Sequence, residues 1–254
     1  MTINQAFEIL KDAGDIRAAR IITENIHFLP RLRVWFIARA LRRGVPVAKI
    51  VHNKWFYGLP FYTNKYTLDP RPDTETLVSA VISDNPAAPR ILDIGTGTGC
   101  IIAAIVKNIH NASGIGVDIS RGAIRVARKN IKKLKLDDKI KIMRGSFNNP
   151  KLTHEKFDVI VSNPPYIARG DRRVDAGALH DPRMALYADN NGYAAYESIA
   201  KNAKNWIKKS GRIYLEIGMG MDKTVRKIFK ATGWKFIRIE RDLSGIPRVL
   251  VFSL

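Results

Sequence analysis

A chain of 254 residues, 46% hydrophobic and 26% charged, can bury one large core or a core domain with a small appendage. No apolar stretch approaches the roughly 20 residues a membrane-spanning helix requires, and residues 1–15 lack the basic and apolar regions of a secretory signal, so a cytoplasmic chain without membrane contact is expected. Forty-three Lys and Arg against 23 Asp and Glu leave a net charge of +20, which attracts nucleic acid, acidic proteins or anionic lipid without choosing among them, and which a solvated surface bias would equally explain.

In chain order, residues 1–53 read as a small helical unit, with apolar residues at helical spacing in Phe7-Ile9-Leu10, Ile16-Ala19-Ile22-Ile26 and Val34-Ile37-Ala38-Leu41. Its last helix carries Arg31, Arg33, Arg39, Arg42 and Arg43, either a binding surface or a solvated side. Residues 54–69 are rich in aromatic residues around Gly58 and Pro60, which predicts a β-hairpin linker turning at that pair.

From residue 70 to 254 short β-branched runs alternate with amphipathic stretches, the pattern of a largely parallel sheet covered on both faces. Seven strands are predicted, at Arg90–Ile94, Gly114–Ile119, Lys139–Arg144, Phe157–Ser162, Arg212–Ile217, Trp234–Glu240 and Arg248–Phe252. The last two lack an intervening helix, so the final strand should run antiparallel to its neighbour. An α/β sheet that ends this way resembles the class I, Rossmann-like methyltransferase architecture.

Ile91–Ile94 run directly into Gly95-Thr96-Gly97-Thr98-Gly99 and then an apolar helix. Glycines let the backbone turn sharply and approach a ligand closely. The G-x-G-x-G spacing lacks the offset of the dinucleotide fingerprint and the Lys-Ser/Thr ending of a phosphate loop, which disfavours NAD and ATP. Asp118 ends the next strand, placed to accept hydrogen bonds from a ribose diol. An acid on the ribose alone would still permit NAD; the loop spacing together with the segment after the fourth strand suggests S-adenosylmethionine. Asp93 either holds the loop or meets the cofactor's amino group. Cys100, the single cysteine, excludes a disulfide framework and reads as a packing residue; His27, His52, His110, His154 and His180 lack ligand spacing, so no metal is expected.

Ser162-Asn163-Pro164-Pro165-Tyr166 follows the fourth strand at the sheet edge where α/β folds bind ligands. Consecutive prolines fix two φ angles and supply no N–H, so the turn presents carbonyl oxygens rigidly while the Asn163 side chain adds another acceptor. Two acceptors suit a planar –NH2 group, with Tyr166 packed on it. A protein glutamine amide and a nucleic-acid exocyclic amine such as adenine N6 both present that group, and the charge favours the second.

The surrounding segments narrow the resemblance. Thr67-Leu68-Asp69-Pro70-Arg71-Pro72-Asp73-Thr74-Glu75, Asp181-Pro182-Arg183-Met184-Ala185-Leu186 ahead of Gly192, Leu215-Glu216-Ile217-Gly218 and Asp242–Arg248 resemble the peptide chain release factor glutamine N5-methyltransferases over residues 55–254. The resemblance implies methyl transfer from S-adenosylmethionine to the glutamine of the Gly-Gly-Gln loop of class I release factors; a monomer is expected, with residues 1–53, which match the family in size and position only, as a substrate-binding unit. It places cofactor contacts on Gly95, Thr96, Gly97, Thr98, Gly99, Asp118, Phe147 and Asn163, and substrate contacts on Asn163, Pro164, Pro165 and Tyr166. Asn163, Pro164 and Tyr166 would be the catalytic residues. Ser146 and Asp69 depart from the family pattern, at positions where an acidic and an aliphatic residue are usual.

Overall fold

The computed structural model describes residues 1–84, 86–148, 155–171 and 176–254; His154 lies outside these. Helix α1 (Ile3–Ala13) starts at a reciprocal cap in which Thr2 Oγ1 accepts from Gln5 N at 3.2 Å and Gln5 Oε1 accepts from Thr2 N at 3.0 Å. Asp15 caps α2 (Ile16–Asn25), and Pro30 precedes α3 (Arg31–Arg42), where its missing N–H costs nothing. With α4 (Val47–Val51) they enclose an apolar cluster of their own around Leu10, Ile22 and Val34. All five arginines singled out between 31 and 43 are exposed.

Strands β1 (Lys54–Phe56) and β2 (Leu59–Phe61) form the hairpin, turning through Tyr57 and Gly58. Both turn residues have positive φ, 49° and 71°, which matches the twist of the flanking strands. Pro60 is a correction to the expected turn: it sits within β2 opposite Trp55, a place a two-stranded edge allows.

The remaining elements are α5 (Glu75–Ser83), β3 (Arg90–Ile94), α6 (Cys100–Asn108), β4 (Ser113–Asp118), α7 (Arg121–Lys133), β5 (Ile140–Arg144), β6 (Phe157–Ser162), β7 (Ile167–Ala168), α8 (Arg183–Leu186), β8 (Tyr187–Ala188), α9 (Ala194–Asn202), β9 (Ile207–Glu216), α10 (Asp222–Ala231), β10 (Lys235–Arg241) and β11 (Pro247–Ser253). Seven of the strands make one sheet in the order β10-β11-β9-β6-β3-β4-β5. The pairs from β9 to β5 are parallel, and β11 is antiparallel to both of its neighbours.

Alternate strand residues feed two apolar layers, as a sheet covered on both faces demands. Ile91, Val159 and Tyr214 join α5 and α6 on one face; Leu92, Ile160 and Leu215 join α9 and α10 on the other. Strand β9 begins five positions earlier than its β-branched run, because Lys208, Lys209 and Ser210 extend it as an exposed segment that carries no apolar signal. Trp234 lies just before β10 rather than in it, its indole N–H donating to the Ala200 carbonyl at 2.8 Å. Among the described residues no helix is long and apolar enough to cross a membrane.

Candidate active site

The parallel strands deliver Ile94, Asp118, Ser162 and Glu216 to one edge of the sheet, where their loops meet. Gly95, Gly97 and Gly99 all adopt positive φ, 76°, 56° and 80°, so the backbone after β3 follows a path that side chains resist. Two carboxylates brace it. Thr96 Oγ1 donates to Asp93 Oδ2 at 2.6 Å, and Gly97 N donates to Asp118 Oδ2 at 3.0 Å. Gly116 makes room for this brace, since a Cβ there would stand 2.8 Å from Thr96 Oγ1.

Asp93 therefore holds the loop: it is fully buried, and burial pushes its carboxyl up to about 7. Asp118 is different. Its other oxygen accepts from Ser120 N at 2.8 Å, it remains partly exposed, and burial raises its pKa. Each carboxylate oxygen keeps a lone pair beyond these bonds, so a ribose diol can still be accepted. Phe147 stands across from the loop, 3.6 Å from where a Gly95 Cβ would be, and a Cβ on Gly97 would meet nothing nearer than 3.9 Å. This open backbone cradle, flanked by an aromatic ring and an acid, fits an adenosyl group. Cys100 starts α6 buried in the core, its thiol pushed up to about 12 by burial, which makes it a packing residue.

Beside the cradle, Ser162 Oγ donates to the Ile94 carbonyl at 2.6 Å and ties the end of β6 to the end of β3. Asn163 Nδ2 donates inward to Thr74 Oγ1 at 3.1 Å. Among the described residues no donor reaches Asn163 Oδ1, so the acceptor end of the amide stays unengaged. Pro164 is buried and Pro165 half-buried; Tyr166 lies half-buried with its ring against Gly218, where a Cβ would come within 2.9 Å of it. Gly192 supports the same turn from behind, because a Cβ there would be 2.2 Å from the Tyr166 carbonyl oxygen.

Two further residues complete the site. Thr74, at the end of the proline-arginine-proline loop, is buried, and so is Glu216 at the end of β9. Burial pushes the Glu216 carboxyl up to about 7, against hydrogen bonding from Thr74 and Asn163 and the charge of Arg248, which favour its ionised form. Its Oε2 has no hydrogen-bond partner among the described residues. Asn163, Thr74 and Glu216 thus form a relay that fixes which way the Asn163 amide faces. Both residues lie in the segments that carry the family resemblance, yet nothing local gives them a role, since Thr74 meets Asn163 across 89 residues of chain and the partners of Glu216 sit on other elements.

The loop that carries Thr74 is held by ion pairs. Arg248 bridges Asp73 and Asp242, each at 2.9 Å. Lys49, from α4, sits buried between Asp69 and Asp181 at 2.8 Å each, and Arg71 reaches Asp181 at 2.7 Å. Asp69 is thereby matched by a cation from the N-terminal helices.

The methyltransferase domain family model matches residues 87–231. A release factor glutamine methyltransferase of Agrobacterium fabrum is 38% identical, over 82% of this chain and 74% of its own length. A bifunctional methyltransferase of Rickettsia felis is also 38% identical over 82% of this chain, but the match takes in only 45% of its length, so the chain spans about half of that relative. A solved methyltransferase from Pyrococcus furiosus superposes with a TM-score of 0.61 at 17% identity, covering 82% of this chain and 98% of its own, which establishes the class I α/β fold. On the strength of these matches, the chain belongs to the release factor glutamine methyltransferase family.

Proposed function

We propose that this chain methylates the side-chain amide nitrogen of a protein glutamine, the one in the Gly-Gly-Gln loop of a class I release factor, with S-adenosylmethionine as donor. The observation that carries this is the orientation of Asn163: its amide nitrogen is engaged by Thr74, so its oxygen is left to accept from a substrate. Beside it the Pro164 carbonyl supplies a second acceptor on a turn with no proline N–H to compete. Two oxygens fix both N–H bonds of a carboxamide and so aim its nitrogen, whose lone pair is delocalised and otherwise a poor nucleophile.

Gly95, Thr96, Gly97, Thr98 and Gly99 would hold the donor over their backbone, with Asp118 on its ribose and Phe147 against its adenine. Bound there, S-adenosylmethionine supplies an electrophilic methyl on a sulfonium. The protein's own contribution is alignment, which can supply ~7–11 kcal/mol when the reacting atoms are near attack distance. Tyr166, with one face of its ring in the core, would close the other side of the substrate amide, and Pro165 would line it. The N-terminal helices would carry further contacts to the protein substrate.

Asn163→Ala tests the assignment. Turnover on release factor should fall by about 100-fold or more, as for loss of a preorganised polar contact, while affinity for the donor, read by calorimetry, stays within a few-fold. Unchanged turnover would remove Asn163 from the chemistry.

A further inference from the structure

We propose that the outer face of α7, with the tyrosines of the linker beside it, binds a single-stranded nucleic acid. Residues 121–144 contain ten Lys and Arg against two acids, Asp137 and Asp138, and all ten cations are exposed. None of them forms an ion pair with an acid among the described residues. Arg121, Arg125, Lys129 and Lys132 follow one another at i+4, i+4 and i+3, which makes one stripe along the helix.

Stability does not ask for this stripe. Like charges at that spacing weaken a helix, and cations in the first turn oppose its dipole. Lysines on an edge strand guard against unwanted pairing, which accounts for Lys141 on β5 but not for the helix.

The aromatic side chains choose among anionic partners. Lys129 Nζ sits 3.4 Å above the ring centre of Tyr62, which stacks on His52 at 5.3 Å. Tyr66 is exposed, with the Arg125 guanidinium 5.9 Å from its ring centre. Tyr66 lies directly over α7, since a Cβ on Gly122 would meet its ring at 2.6 Å. A recess of about 420 Å³ lined by His52, Tyr62, Tyr66 and His180 opens beside them, a volume in the range of small-molecule sites. Phosphates along the stripe and an unpaired base in this recess would use both features at once.

An acidic protein or an anionic membrane would need an apolar centre or anchor; residues 121–144 expose no large hydrophobic side chain, and only Tyr66 and Ile119 are exposed beside them. A duplex would leave the tyrosines without a base face to stack on. The stripe lies on the opposite side of α7 from Ala127 and Ile131, which pack toward Gly99, so the strand would bind outside the catalytic crevice.

The test is fluorescence anisotropy of the full chain with a labelled, mixed-sequence RNA of about 15 nucleotides, titrated from about 50 to 200 mM salt. Saturable binding is expected, with log affinity falling linearly in log salt. Arg125→Glu with Lys129→Glu and Lys132→Glu should weaken it more than tenfold and flatten the slope by about 2, or ~0.7 for each of three phosphates. Tyr66→Ala should weaken it about tenfold without changing the slope. Melting curves check that the variants fold, and the Gln replacements at the same three positions should act in the same direction. Equal affinity of the triple variants would overturn the proposal, as would binding of polyglutamate, phosphatidylserine vesicles or duplex RNA as tight as that of the single strand.

Discussion

Asn163 is only as useful as the groups that hold it. Its amide nitrogen rests on Thr74, and both lie against Glu216, a carboxyl buried at the end of β9 with one oxygen unpartnered among the described residues. Removing the Thr74 hydroxyl while keeping its shape should free the amide to rotate. Thr74→Val is expected to lower kcat about tenfold, the worth of one buried hydrogen bond, with donor affinity unchanged; equal kcat would show that Asn163 is held by other means. Glu216 carries a pH signature. Folding raises its pKa from 4.5 to about 7, so the folded chain binds more protons than the unfolded one between those values. Stability contributed by this group is therefore present below pH 4.5 and is lost as pH rises through about 7. Glu216→Gln should flatten the dependence across that window by on the order of 3 kcal/mol, read by urea unfolding at several pH values. Asp93, also raised to about 7, leaves a second contribution in the same direction, so the slope is reduced and not abolished.

The elements differ in how plainly the chain announces them. The parallel strands and the glycine loop are written in local patterns: a β-branched run, three glycines and an acid at the next strand end. The asparagine turn is equally plain, because two adjacent prolines leave the backbone little choice. Where polar or proline residues stand in strands, as in Lys208–Ser210 and Pro60, periodicity carries no signal and pairing with a neighbour decides the structure. The roles of Thr74, Glu216 and Lys49 depend on partners far away in sequence, which no local pattern encodes. Lys49 shows what such a partner does. It joins α4 to Asp69 and Asp181, and it also donates to the Asn64 carbonyl at 2.8 Å, holding the linker and the proline-arginine-proline loop to the helical unit. Lys49→Met would leave the buried Asp69 without its cation and Asp181 with Arg71 alone. It should cost about 3–5 kcal/mol of stability, and adding Asp69→Leu should recover part of that loss; a change below about 1 kcal/mol in urea unfolding would show the pairs to be dispensable.

At the scale of the whole molecule the net charge of +20 and the site's geometry point to different surfaces. The crevice at the sheet edge is built from neutral acceptors, glycines and buried acids, which suit an adenosyl donor and a carboxamide. Many exposed cations lie outside it, on α3, along α7 and β5, and on α10. A strongly basic composition therefore does not by itself mark nucleic acid as the methyl acceptor, and the two partners can be separated by experiment. The most direct measurement incubates the chain with methyl-labelled S-adenosylmethionine and either a class I release factor, the same factor with its Gly-Gly-Gln glutamine replaced by alanine, or nucleic acid. Label is predicted on the intact release factor, at that glutamine, and on neither of the others. Label in nucleic acid, or on the substituted factor as strongly as on the intact one, would contradict the account.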